Sequence, residues 1–492
     1  MVQLKERNIV LKDFRKKIRI ALVYPNLYRV GMSNLGIQII YDILNSMNDV
    51  YCERFFLDFE RSLETNSPLR DFDIIAFSYQ FEPDIFNILK ILHRSELQLE
   101  AGRKNLVVAG GPCTVNPYPI KKFLDIFFIG EVEANLPAFI EQYKKSRDFS
   151  DIEGVYESRA DNPVRRVFLD DLDSYYPVTQ IMSPAASFGE TFSLEVSRGC
   201  ARMCRFCMAC YISSPRRERS LEFLKEVVDR GIKVNKPSKI SILGASVSDY
   251  SRIDELCRFL GEKNLPISIP SLRADNLSST IVDTMVGSGQ RSLTIAPEAD
   301  ERLRYLMNKE MSDEQIINAA KLAYRHGVKK LKLYFMVGNP GETSRDIRGI
   351  VAFVKRVKKE GVRNIKVSVT PFVPKPHTPL QWAGFEDVAE LNKKIKVLRK
   401  ELAGVSRVEA ESTKVSLLQA IVARGDEKLA DIIERAFYYG GSMGALRRAF
   451  RECRIDMTSY TREREVDEAL PWDKIDIGIK KSFLADSYKS LR

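Results

Sequence analysis

The residues best placed for chemistry are the cysteines in Glu195-Val-Ser-Arg-Gly-Cys-Ala-Arg-Met-Cys-Arg-Phe-Cys-Met-Ala-Cys210. Cys200, Cys204 and Cys207 have CxxxCxxC spacing, and Cys210 follows three residues later. Thiolates this close suit a soft metal, either zinc or an iron–sulfur cluster. Zinc ordinarily takes paired CxxC knuckles or Cys/His pairs. No second knuckle is present, and His93, His326 and His377 all lie far from the motif in sequence. Three cysteines can hold three corners of a cubane and leave one iron open to a substrate-like ligand. The run before the motif, Thr191-Phe-Ser-Leu-Glu-Val-Ser197, alternates as a strand, and helical periodicity resumes at Ser220. The cysteines therefore belong on a strand–helix loop.

CxxxCxxC on the loop after a first barrel strand resembles the radical S-adenosylmethionine (SAM) superfamily. The resemblance implies a 4Fe-4S cluster on Cys200, Cys204 and Cys207, with SAM on the open iron. Reductive cleavage of SAM then gives a 5′-deoxyadenosyl radical. Phe206 stands where the superfamily often has an aromatic near the adenine. Cys210 lies outside the pattern and reads as a buried small residue.

The elements around this loop alternate. Strands over 192–196, 239–243, 267–272, 292–296, 330–336 and 364–370 are separated by helices near 220–234, 251–263, 277–288, 300–308, 312–326 and 344–360. Six β/α units predict a partial TIM-type barrel whose site lies at the carboxyl ends of its strands. There the resemblance implies SAM contacts from Gly244 and Ser246, from Ser271 and Arg273, from Glu298, and from Gly338 in Val337-Gly-Asn-Pro-Gly-Glu-Thr343. Where the superfamily has a Gly-Gly-Glu turn, Leu243-Gly-Ala-Ser246 keeps one glycine and no Glu. Contact there falls to backbone.

Ahead of the barrel, strands at 18–24, 50–56, 73–78, 106–111 and 126–130 alternate with helices, which predicts a doubly wound parallel sheet. No GxGxxG or GxxxxGK[ST] is present. Ser78, Ala109-Gly-Gly-Pro-Cys-Thr114 and Gly130-Glu-Val-Glu133 resemble the cobalamin-binding domain that precedes many radical SAM barrels. That implies contacts from Ser78, Gly110, Gly111, Thr114, Gly130 and Glu131. The DxHxxG histidine is absent; Asn26-Leu-Tyr-Arg-Val-Gly-Met32 stands there, so Asn26, Tyr28, Gly31 or Met32 would face the corrinoid. Two options stay open: cobalamin without a histidine ligand, or a relic domain.

The chain thus divides into a Rossmann-like domain (1–145), a linker (146–190), a radical SAM barrel (191–385) and a C-terminal helical region (386–492), α/β throughout its first two domains. The N-terminal domain, the run Pro215-Arg-Arg-Glu-Arg-Ser220, the segment Phe372-Val-Pro-Lys-Pro-His-Thr-Pro379 and the ending Pro471-Trp-Asp-Lys-Ile-Asp476 together resemble a full-length branch of these proteins. His377 reads as a packing or hydrogen-bonding loop residue.

With 492 residues, 44% hydrophobic and 29% charged, the chain is a folded protein of two or three domains. No apolar run approaches the roughly 20 residues of a membrane span, and the N-terminus lacks a signal core. A reducing, cytoplasmic setting suits the cluster. The net charge of +11 is spread in short clusters, compatible with RNA or an acidic partner. The leading expectation is cobalamin-dependent C-methylation of an unactivated carbon, with a protein side chain as substrate, RNA or a lipid intermediate behind it, and a flavodoxin- or ferredoxin-type electron donor. The alternatives are radical SAM chemistry without methyl transfer and a non-enzymatic cobalamin or redox sensor. Methylthiolation would want three more N-terminal cysteines, where only Cys52 and Cys113 stand.

Overall fold

The computed structural model describes residues 4–270 and 272–491. Five parallel strands, β1 (Ile18–Tyr24), β2 (Val50–Phe56), β3 (Ile74–Ser78), β4 (Leu106–Gly110) and β5 (Ile126–Phe128), lie in the order β2-β1-β3-β4-β5. An antiparallel strand, β6 (Val155–Glu157), pairs with β5. Both faces are covered, so these strands are largely apolar rather than alternating; β2 is the exception, carrying Glu53 and Arg54 in ion pairs with Arg19 and Glu64. Successive side chains go to opposite faces. Ile20, Leu22 and Tyr24 share a core with α1 (Leu35–Ser46) and α3 (Leu136–Lys145). Ala21 and Val23 join α2 (Ile85–Arg94) in a second core, continuous with that of the barrel. The connection order reverses between β1 and β3, so any ligand crevice lies at their carboxyl ends.

The second domain holds β7 (Thr191–Glu195), β8 (Lys239–Leu243) and β9 (Ile267–Ser268) in one parallel sheet. A second parallel sheet holds β10 (Ser292–Glu298), β11 (Lys330–Val337), β12 (Ile365–Pro371) and β13 (Arg407–Ala410). The expected third strand stops at Ser268, short of 272, because Pro270 has no N–H to give a ladder. A seventh strand, β13, pairs with β12 from Lys366↔Arg407 to Val369↔Ala410. It lies in the stretch read from sequence as the C-terminal helical region. Its four residues Arg-Val-Glu-Ala are too short and too charged to show a period. Among the helices between these strands are α4 (Met208–Ile212), α5 (Leu221–Asn235) and α6 (Ser344–Lys359), with α7 (Val388–Glu401) crossing to β13. No helix among the described residues is long and apolar enough to cross a membrane.

The C-terminal helices α8 (Thr413–Ala423) and α9 (Leu429–Tyr438) fasten the two domains together. Asn116 Nδ2 donates to the carbonyls of Ala423 (3.0 Å) and Gly425 (2.9 Å). Gln419 donates to Glu82 at 3.0 Å, and Lys122 pairs with Asp431 and Glu434, each at 2.7 Å. His377 has the same role. Its ring is buried, and Nε2 lies 3.0 Å from the Val115 carbonyl, so Nε2 carries the proton. Its backbone N–H donates to Gln381, which also accepts from Trp472 Nε1 at 2.7 Å. Burial pushes the His377 pKa from 6.5 down to about 4. The unfolded chain therefore binds a proton first, and stability falls as pH drops from 6.5 toward 4. The loss reaches about 3 kcal/mol at about 1.4 kcal/mol per pH unit. Denaturant melts across that range should show this increment in the parent and lack it in His377→Gln.

Candidate functional site

A two-stranded ribbon, Ser197–Arg198 against Arg217–Glu218, leads from β7 into the cysteine loop. Gly199 turns the chain there at φ +77°, and a Cβ on it would meet the Ser213 carbonyl at 2.5 Å. Only glycine accepts that backbone. Cys204 is buried, and Cys200 and Cys207 are half-buried. A thiol hydrogen bond from Cys210 lowers Cys200 to about 6 and Cys207 to about 7, and it lowers Cys204 too. Nearby cations, Arg273 beside Cys200 and Lys309 beside Cys207, act in the same direction. These groups ionise easily, as metal ligation requires. Among the described residues, no three Cys, His or carboxylate groups close on a single metal ion. The donor set is three soft thiolates with no imidazole, which fits a multi-iron cluster better than zinc.

The cysteines form one wall of a cavity of about 320 Å³ at the carboxyl ends of the strands. Phe206, Ser246, Arg273 and Glu298 line it as the sequence implies. Glu298 has φ +70°, in the left-handed region where non-glycine residues are uncommon, and follows a register shift in β10. That strained backbone aims its carboxylate at Lys309 Nζ, 2.8 Å away. Arg273 is held by Asp275 at 2.9 Å. Ser246 Oγ is buried, makes no well-formed hydrogen bond and leans only on Asp249; Ser197 Oγ has no partner at all. The unsatisfied Ser246 hydroxyl, on the cavity wall, calls for a ligand.

Gly244 supports the wall from behind, where a Cβ would stand 3.1 Å from Ser197 Oγ. Gly338 does not reach the cavity lining. It turns at φ +84° against Leu391 and Glu386 of the α7 region, and its N–H donates to Glu342 at 2.9 Å. Ser271 lies outside the described residues. Arg202, Thr294, Lys309 and Tyr334 also line the cavity, and sequence inspection passed over all four. The signal for two of them was period-2 alternation. Thr294 and Tyr334 share a strand face with Glu298 and Lys332, opposite the buried Leu293, Ile295, Leu331 and Leu333. Nothing local marks Arg202 or Lys309.

At the other strand ends, Ser78, Gly110, Gly111 and Thr114 come together across the β3–β4 pair. Thr114 Oγ1 donates to the carbonyls of Gly111 and Phe128, both at 2.8 Å, and Ser78 Oγ accepts from Gln80 at 2.9 Å. A Cβ on Gly111 would lie 2.6 Å from the Tyr79 carbonyl, and one on Gly130 2.0 Å from that of Val167. The chain's own backbone fills both sites. Asn26 donates to Asp84 at 3.1 Å, and burial holds that carboxyl up to about 6. Tyr28 is buried and its hydroxyl contacts Glu6 (2.5 Å) and Ser183 (2.7 Å). Gly31 packs under Phe56, and Met32 Sδ accepts from Arg54. The expectation that Tyr28 or Met32 faces a cobalt ion thus gives way to side chains committed to internal contacts. Glu131 is committed as well, to Arg198 (3.0 Å) and Arg217 (2.6 Å).

Residues 36–160 match the family described as radical SAM proteins, N-terminal, and residues 194–354 match the radical SAM superfamily. The uncharacterized protein MJ0966 of Methanocaldococcus jannaschii is 38% identical over 426 residues, 84% of this chain and 90% of that one. The chain belongs to the radical SAM superfamily and is an enzyme of that class. Among solved structures, the radical S-adenosylmethionine methyltransferase TsrM from Kitasatospora setae, with cobalamin and a [4Fe-4S] cluster bound, aligns at TM-score 0.56. It is 14% identical, with 74% of each chain covered. The cobalamin-dependent S-adenosylmethionine radical enzyme OxsB aligns at 0.51 and 16% identity, covering 69% of this chain and 52% of that one. Both share the arrangement of an α/β domain ahead of a partial barrel.

Proposed function

We propose that this protein is a cobalamin-dependent radical SAM methyltransferase that methylates an unactivated carbon, with a protein side chain as substrate. The observation that carries the proposal is how the two strand-end faces are fastened. Glu131, just past β5, is paired with Arg198, two residues before Cys200. That brings the carboxyl ends of the N-terminal sheet against the cysteine loop. When bound, the cluster and SAM supply a hydrogen-abstracting radical, and a corrinoid supplies the methyl group.

The chain's own residues bind and orient. Cys200, Cys204 and Cys207 would hold the cluster. Glu298 would accept from the SAM ammonium or ribose, Arg273 and Lys309 would meet its carboxylate, and Ser246 would satisfy its hydroxyl on the same ligand. At the N-terminal sheet, Ser78, Gly110 and Asn26 border the β1/β3 crevice. A flavodoxin- or ferredoxin-type donor and a cytoplasmic setting complete the proposal.

The backbone closure at Gly111 and Gly130 favours a second reading, radical SAM chemistry without methyl transfer, such as RNA modification or C–C bond formation. Anaerobic reconstitution with hydroxocobalamin separates the two. Methyl transfer requires co-eluting cobalamin and both 5′-deoxyadenosine and S-adenosylhomocysteine among the products. Cobalamin-free protein yielding 5′-deoxyadenosine alone would overturn it. Mass spectrometry of protein and tRNA from a deletion strain would then find the species lighter by one methylene. For the SAM contacts, Glu298→Gln is expected to weaken SAM binding about tenfold, about 1.4 kcal/mol, with iron content unchanged. Equilibrium dialysis against the reconstituted variant measures this directly.

A further inference from the structure

We propose that the C-terminal helical hairpin is a docking surface for an unpaired stretch of RNA, with arginines on its phosphates and an exposed tyrosine against its bases. The hairpin is α9 followed, across Gly440 and Gly441, by α10 (Met443–Glu452). From Arg435 to Arg454 it carries five arginines against one glutamate, a net of +4 in twenty residues of a chain whose whole net charge is +11. All five arginines are exposed, while Leu446, Ala449 and Phe450 are buried. The acids are committed elsewhere. Asp431 and Glu434 of α9 pair with Lys122 of the N-terminal domain, and Glu452 pairs with Arg448 at 2.8 Å. Among the described residues, Arg435, Arg447, Arg451 and Arg454 are in no ion pair. Arg447 and Arg451 stand one turn apart on the same face of α10, and Arg454 follows it. Like charges at that spacing destabilise a helix, so a merely solvated face ordinarily intersperses acids, as Glu452 does for Arg448. A row of guanidiniums without such acids has the charge and the donor geometry that phosphates match.

The aromatic residues decide the kind of polyanion. Tyr438 is 60% exposed at the end of α9, one turn after Arg435. Edge-on contacts brace its ring, from Phe437 (centroids 5.4 Å apart) and from His93 of α2 (6.1 Å). Tyr439, beside it, lies under the Arg448 guanidinium, 3.9 Å from its ring centroid, and its hydroxyl donates to Glu452 at 2.6 Å. Bases stack on tyrosine rings and on guanidinium planes. A duplex keeps its bases inside, whereas folded RNA presents them in loops, so the fit is to unpaired RNA. A run of carboxylates would satisfy the arginines and leave Tyr438 with nothing planar to stack on. The surface adds a partner to the reaction proposed above and does not depend on it.

The test follows the fluorescence anisotropy of a labelled RNA stem-loop with the full-length protein, with a DNA duplex and a polyglutamate peptide as comparisons. The stem-loop should bind, more weakly as salt rises. Arg447→Ala/Arg451→Ala should reduce the steepness of log K against log salt by about 1.4, at about 0.7 for each phosphate of a single strand. Arg345→Ala/Arg348→Ala, which removes the same charge from the exposed side of α6, should leave it unchanged. Tyr438→Ala should weaken stem-loop binding about tenfold at an unchanged salt dependence, and Tyr438→Phe should bind as the parent does. All of these side chains are exposed, so thermal melts should coincide with the parent. 5′-Deoxyadenosine release by the reconstituted variants should also match the parent, which separates a failure here from a failure of the reaction reading. A parent protein that binds no stem-loop, or an arginine double variant that binds it equally well, would overturn the proposal. A duplex bound as tightly as the stem-loop, with Tyr438→Ala without effect, would overturn the assignment to unpaired RNA. Polyglutamate bound as tightly as the stem-loop would overturn it in favour of an acidic protein.

Discussion

Cys204→Ala is expected to lose the cluster and, with it, SAM cleavage by at least about a thousandfold, about 4 kcal/mol of barrier. Cys204 is the most deeply buried of the three motif cysteines, at 5% exposure, and stands between the other two in the loop. Alanine leaves two thiolates for a cubane that needs three protein corners, and no histidine or carboxylate lies in the motif to substitute. Cys257 gives the control. It is equally buried, but burial lifts its thiol to about 11, and its surroundings are barrel core rather than the cavity. Cys257→Ser should keep the cluster. Iron analysis, the visible absorption of the reconstituted protein and 5′-deoxyadenosine release measure all of this. Full iron content in Cys204→Ala would remove the basis for the cluster site.

The contrast between these cysteines shows which features a sequence displays. Cysteine spacing is local, so the candidate motif Cys200, Cys204 and Cys207 stands out in the sequence. The largely apolar runs of β1 and of β3 to β5 were legible because both sheet faces are buried. Cys210 reads from sequence as a buried small residue, and it is buried, at 2% exposure, on α4. Lys309 was invisible: its partner Glu298 is reached only through a left-handed backbone that no composition announces. Tyr28 and Met32 were placed by their loop, but Glu6, Ser183 and Arg54 decide where they point. Their nearest such partner in sequence lies more than twenty residues away. The strand β13 was missed through brevity, since four residues carry too few alternations to outweigh the charged helices on either side. The fold was therefore legible where burial is two-sided or the period is long. The candidate site was legible only where its residues are neighbours in the chain.

Arg198→Met should cost about 3–5 kcal/mol of stability, the ordinary consequence of stripping one partner from a buried ion pair. The Arg198 side chain is 13% exposed and is shared by three carboxylates: Glu131 at 3.0 Å, Glu133 at 2.6 Å and Glu195 at 2.9 Å. Glu131 keeps Arg217 when Arg198 is removed, and Glu195 keeps Arg219 at 2.9 Å. Glu133, 5% exposed, has no other ion pair among the described residues, so it is stranded. Most of the loss should therefore return in Arg198→Met/Glu133→Gln, and a double-mutant cycle isolates the coupling. The pH dependence follows from Glu131. Burial works to raise its carboxyl pKa, but Arg217 and Arg198 outweigh burial and hold it below the ordinary 4.5. A lowered carboxyl pKa stabilises the fold above 4.5 and loses that contribution as pH falls. The deficit of Arg198→Met should thus be largest near neutral pH and narrow below about 4.5. Because Arg198 also ties the N-terminal sheet to the loop that carries Cys200, the variant should lose SAM cleavage under conditions where it is still folded. A variant as stable as the parent at neutral pH would mean that the carboxylates find other partners and that this network does not hold the two strand-end faces together.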